Sequence, residues 1–136
     1  MRMVFLNLPI ADVAASESFF TALGFSVDPE FKDETTTCIV VEEHIVVLLH
    51  LPEKWAGFLH SPPAPAGTTE VLIALSGDSK EAVLELKEKV LAHGGSPYGD
   101  DQDFGFMYGV SFRDPDGHVW ECTWMDLEAA RASGSL

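Results

Sequence analysis

Positive charge is scarce in this chain. Eight lysines and arginines stand against 22 aspartates and glutamates in 136 residues, a formal charge of −14 with the histidines neutral. Such a surface repels nucleic-acid phosphates and anionic lipid, so no nucleic acid and no membrane is expected as a partner. Cysteine is almost absent. Cys38 and Cys122 lie far apart and outside any paired motif, so they read as reduced, buried thiols and the protein is expected to be cytoplasmic. No run approaches the roughly 20 apolar residues of a membrane helix. Met1–Leu8 is apolar, but Pro9 and Asp12 follow at once, unlike a secretion signal. The chain has no glycine-rich phosphate loop, no nucleophile elbow and no Cys/His zinc cluster.

Apolar residues are plentiful: 46% of the chain is hydrophobic, enough for one ordinary core or two small modules. Met3–Ile10 is a β-rich run. Asp12 follows as a helix N-cap, since its carboxylate can accept from an orphan N–H of the first turn. Val13, Phe19, Phe20 and Leu23 recur at roughly helical spacing, and Gly24 suits the left-handed residue that ends a helix. Phe25–Val27 reads as extended. Thr35–Val41 and Ile45–Leu51 flank the polar turn Glu42-Glu43-His44, which predicts a hairpin. The first module is therefore βαβββ.

Four prolines, Pro52, Pro62, Pro63 and Pro65, mark residues 52–69 as a linker. Within it Trp55, Phe58 and Leu59 make either one amphipathic turn over a pocket or, the favoured reading, a patch packed on the core edge. The pattern then repeats. Glu70–Leu75 reads as a strand. Asp78 is the expected cap of the next helix, with Glu81 completing a capping box. Val83, Leu86 and Val90 mark its buried face, and Gly94-Gly95 ends it. Extended pieces near Tyr98 and over Phe104–Phe112, the tight turn Asp114-Pro115-Asp116-Gly117, and His118–Met125 complete a second βαβββ module. The boundaries are 1–60 and 70–126 within a single domain of residues 1–126, and 127–136 is expected to be a tail, frayed from Ala129. The fold class is α+β: two tandem βαβββ modules forming a cupped mixed sheet, helices outside, with a ligand expected inside the cup.

Particular stretches resemble a known group. Asn7-Leu8-Pro9-Ile10-Ala11-Asp12, Ser16, Phe19-Phe20 and Leu23-Gly24-Phe25 resemble the opening strand and helix of glyoxalase-type proteins. Asp114-Pro115-Asp116-Gly117-His118-Val119-Trp120-Glu121 resembles the closing hairpin and last strand of the same vicinal-oxygen-chelate superfamily. Phe104-Gly105-Phe106-Met107-Tyr108-Gly109, with Trp124-Met125-Asp126, is similar to a bacterial subgroup of lactoylglutathione-lyase-like proteins. The resemblance runs from about Val4 to Asp126. It implies one divalent metal (Zn, Ni, Mn or Fe), held by His, Glu or similar donors from strands of both modules.

Carrying that pattern over by spacing places the ligand positions at Phe5, near Leu48, at Leu72 and at Glu121. Only Glu121 can ligate. Asn7, His50 and Glu70 each sit two residues from an apolar position, hence on the same strand face but displaced by roughly 6–7 Å, and they are the candidate substitutes. Without metal, Glu121 could bind a cationic or hydroxyl-bearing ligand, act as a general base, or simply bond a neighbour such as Tyr108. Met107 and Tyr108 could line the cup or face the helix. Two readings follow. The first is a resistance-type protein that binds a small organic molecule in an apolar cup with no cofactor. The alternative is a metal-dependent lyase or isomerase. Modules of this kind expose sheet edges, so a homodimer is expected.

Overall fold

The structure, a computed structural model, describes residues 1–135. These form two compact units, one over Met1–Ala66 and one from Gly67 onward, so the division falls inside the proline-rich stretch.

The first unit holds β1 (Val4–Pro9), α1 (Val13–Ala22), β2 (Ser26–Val27), a 3-10 turn (Pro29–Phe31), β3 (Thr36–Glu42), β4 (Ile45–His50) and α2 (Pro52–Phe58). Its sheet runs β1-β4-β3-β2, parallel between β1 and β4 and antiparallel elsewhere. Asp12 caps α1 as its side chain predicts, accepting from Ala15 N at 2.8 Å. Gly24, at φ +104°, turns the chain out of the helix. The sheet has two unlike faces, because side chains alternate along a strand. One carries Leu8, Thr37, Ile39, Val47 and Leu49, all buried, as are Phe19 and Phe20 of α1. Each large apolar side chain so buried contributes about 1.5–3 kcal/mol. The other face carries Phe5, Asn7, Leu48, Cys38, Thr36 and His50.

The second unit holds β5 (Leu72–Ser76), α3 (Lys80–Ala92), β6 (Ser96–Pro97), β7 (Gln102–Asp103), β8 (Met107–Arg113), β9 (Val119–Met125) and α4 (Leu127–Ala132). Its sheet runs β5-β9-β8-β6, with β7 also paired to β8. Val83 of α3 packs on Val110 and Cys122, with Leu86, Tyr108 and Trp124 around them, which fixes the helix-covered face. The opposite face carries Leu72, Ala74, Glu121, Ser111 and Met107. The closing turn is pinned by buried Asp114. Its Oδ1 accepts from the Asp116 and His118 N–H groups, and its Oδ2 from Trp120 Nε1 at 3.0 Å.

Several expectations need correction. The α3 cap is Ser79, whose side chain accepts from Ala82 N at 3.0 Å, not Asp78 one residue earlier. The stretch read as linker opens with a helix, α2, for which Pro52 at the first turn is pre-set in φ. The stretch read as tail begins as α4, capped by Asp126 and burying Ala130; Leu136 lies outside the described residues. The strand expected from Glu70 starts at Leu72, and the one expected from Phe104 starts at Met107.

Candidate functional site

Asn7 and His50 come together in the first unit. They are 43 residues apart in sequence, but the parallel pairing of β1 and β4 sets them on one face. His50 Nε2 lies 2.8 Å from Asn7 Oδ1, and His50 Nδ1 lies 2.8 Å from Thr36 Oγ1. Asn7 Nδ2 donates to Phe5 O at 3.2 Å. That bond orients the amide and turns its oxygen toward the ring, so His50 Nε2 carries the hydrogen and donates.

The ring is buried, with 2% exposure. Helix α2 sits against it: Trp55 stacks with ring centroids 6.3 Å apart at 20°, and Phe58 meets it edge-on at 4.9 Å. Burial and then the positive charge of Lys54 lower the His50 pKa, opposed by Asp33. The imidazole is accordingly neutral, Nδ1 has a free electron pair, and the Thr36 hydroxyl donates to it. Lys54 and Asp33 form an ion pair at 3.1 Å that ties α2 to the loop before β3. Asp33 is held down at about 2, first by the Thr35 N–H and hydroxyl and then by Lys54.

The other candidates part company. Glu121 sits half-buried in the middle of β9, between Ala74 of β5 and Ser111 of β8. Among the described residues its carboxylate has no hydrogen-bond or ion-pair partner. Met107 shares that sheet face. Tyr108 does not: it points to the α3 side, with Lys80 4.8 Å over its ring. Its hydroxyl donates to Asp101 at 2.7 Å, so it cannot be the partner of Glu121. Asp101 also takes Lys87 at 2.7 Å; burial works against its charge, but the two bonds prevail and its pKa is lowered. Glu70 is exposed and lies before β5, outside the sheet, so strand geometry does not aim it at any site.

These residues do not fit a divalent metal. Phe5, Leu48 and Leu72 occupy three of the four positions the resemblance assigns to ligands. The free electron pair of His50 faces Thr36, and its other nitrogen is spent on Asn7. A ligating imidazole needs one nitrogen for the metal and the other for an outer partner. Among the described residues no three His, Cys, Asp or Glu side chains group to hold an ion. No helix among them is long and apolar enough to cross a membrane.

Sequence reasoning missed Thr36, Trp55 as a ring partner, and the Lys54–Asp33 tie. The hairpin signalled that a threonine of β3 meets His50 but not which one, since the register shift between Val40 and Glu42 sets Thr36 there. A separate open depression of 570 Å³, lined by Val13, Ala14, Glu17, Pro29 and Lys32 with Asp33 and Glu34, contains none of the candidate residues. Lys32 there is paired with Glu17 at 2.6 Å and Asp33 with Lys54, so the polar cluster on the sheet is the better candidate site.

Comparison with known proteins bears on the fold. Residues 2–42 match the family model for a bleomycin resistance protein-like N-terminal region. No curated protein matches the chain in sequence. Among solved structures, a hypothetical protein from S. aureus shares 24% identity at TM-score 0.78, over 91% of this chain and 94% of that one. A glyoxalase/bleomycin resistance protein/dioxygenase family enzyme from Burkholderia phytofirmans PsJN shares 16% at TM-score 0.77, over 93% and 100%. A lactoylglutathione lyase from Agrobacterium tumefaciens shares 20% at TM-score 0.65, over 90% and 92%. These likenesses establish the fold and, with the family model, support the vicinal-oxygen-chelate superfamily.

Proposed function

Given a chain with the glyoxalase/bleomycin-resistance fold, we propose that it binds a small organic molecule without a metal, at the exposed Phe5–Asn7 end of the first unit's sheet. The observation that carries this is the exchange of donor positions for apolar ones around a neutral polar pair. Phe5 and Leu48 share a sheet face with Asn7, and His50 beside it is neutral and fully hydrogen-bonded. An apolar wall with one or two fixed polar groups is the ordinary composition of a small-molecule site. The protein works in the cytoplasm as a homodimer. Support for the dimer comes from apolar residues left exposed on sheet edges, Val4 and Phe5 on β1 and Leu72 on β5. Sedimentation equilibrium at micromolar concentration should return twice the mass of the chain; a monomer would remove that part of the proposal.

The metal-dependent lyase is the competing reading. It has one specific observation in its favour, the half-buried and unpartnered Glu121 carboxylate. The test is saturation-transfer NMR with neutral aromatic fragments, first in EDTA and then with added zinc or nickel. Fragments should bind equally in both, and Leu48→Asp should abolish binding. Binding that requires the metal would favour the lyase.

A further inference from the structure

We propose that Thr36, His50 and Asn7 form a relay that locks the exposed Asn7 amide with one N–H of its NH2 group left for a ligand, so that the site selects ligands bearing a neutral oxygen acceptor such as a ketone or ether. This rests on the binding reading above and names the ligand chemistry of that site.

The relay has a direction. Thr36 Oγ1–H donates to His50 Nδ1, and His50 Nε2–H donates to Asn7 Oδ1, each over 2.8 Å. Both His50 and Thr36 are buried, at 2% and 4% exposure, so water does not compete for the bond between them, and the ring hands that fixed orientation on to the exposed Asn7 amide. An asparagine amide is free to flip by 180°, and a flip here would set NH2 against an N–H donor. The Phe5 carbonyl and the His50 ring thus hold one and the same amide orientation from its two ends. One Nδ2 hydrogen is used on Phe5 O. The second has no acceptor among the described residues, and Asn7 is exposed. The surroundings of the amide are apolar: Phe5, itself edge-on to Phe31 at 6.1 Å, and Leu48. A donor presented on such a face discriminates strongly, because a ligand without an acceptor leaves it unsatisfied on desolvation. The charged groups that act on the ring, Lys54 on α2 and Asp33 in the loop before β3, are paired with each other and push its proton affinity in opposite directions.

His50 and Thr36 are positioning residues in this scheme, and the test reads their state directly. Long-range 1H–15N correlation on ring-labelled protein should show His50 as the neutral Nε2–H tautomer at pH 7.5. The Nδ1–H tautomer, or an imidazolium, at that pH would overturn the relay. Acetophenone and ethylbenzene, nearly equal in shape, serve as probes with and without the acceptor. Acetophenone should bind about 5-fold tighter, as one net hydrogen bond of about 1 kcal/mol gives. His50→Gln, whose amide can still donate to Asn7, should keep that preference; Thr36→Val and His50→Leu should reduce it to about 2-fold or less. Equal affinity for both probes in the wild type overturns the acceptor selectivity. If neither probe binds, the binding reading falls together with that selectivity, while the tautomer decides the relay on its own.

Discussion

Buried polar side chains carry most of what is specific to this protein. His50 has its pKa lowered by burial, then by Lys54. Its folded value therefore lies below the unfolded 6.5. Above that pH neither state binds the proton. Below it the unfolded chain takes up a proton that the native state refuses, so stability should fall as pH drops from 6.5 and level off below the folded value. Urea unfolding at pH 7.5 and 5.5 should show lower stability at 5.5, and His50→Gln should flatten the difference. Asp33 acts in another window: its stabilisation is present above the unfolded 3.8 and is lost as pH falls toward about 2. Little of the His50 environment was legible from residues. The sequence marked His50 and Asn7 as members of one face, but a histidine at a strand end looks the same whether it faces a metal or a threonine.

At the level of elements, strands and helices read well wherever period and caps agree. Asp12, Gly24 and the buried positions of α3 sit where their side-chain chemistry puts them. Register read poorly, and the reason is visible in the β3–β4 hairpin. Glu42 pairs with Ile45, but the register shifts between Val40 and Glu42, so that Thr36, not Thr37, faces His50. Counting outward from the turn without that bulge would pair His50 with Thr37 and give the wrong partner, since a one-residue slip reverses the faces. Helix α2 was hidden by its proline, which reads as a breaker inside a helix but is favoured at its first turn. The closing turn shows how strictly such an element is held. Asp114→Asn keeps one oxygen for the Asp116 and His118 N–H groups but presents NH2 to Trp120 Nε1–H. Burial raises the Asp114 pKa, opposed by His118 and Trp120, so the charge itself is costly. The donor–donor clash should still dominate, with a loss of about 1–3 kcal/mol in denaturant unfolding. Unchanged stability would mean that the Trp120 bond adds nothing.

For the molecule as a whole, the α+β class and the repeat of a βαβββ order, to which the second unit adds the short strand β7, were legible because the two halves repeat the same sequence of signals: strand, cap, helix, glycine, hairpin. The site was legible only in part. Phe5, Leu48 and Leu72 read directly as residues that cannot ligate, since no side-chain geometry makes them donors. Which substitutes converge was not legible, because it depends on strand ends. Glu70 falls outside its strand, Tyr108 turns to the helix, and Asn7 spends its oxygen on His50. The proposal that follows is a protein of this fold that binds its ligand without a metal.

Metal stoichiometry tests that claim most directly. Untagged protein is dialysed against zinc, nickel, manganese and ferrous iron in turn, metal per chain is measured by elemental analysis, and the melting temperature is recorded for each. The expected result is far less than one ion per chain and no shift in Tm. One ion per chain with a rise of several degrees, both lost in Glu121→Gln, would contradict the claim and return the protein to the metal-dependent enzymes.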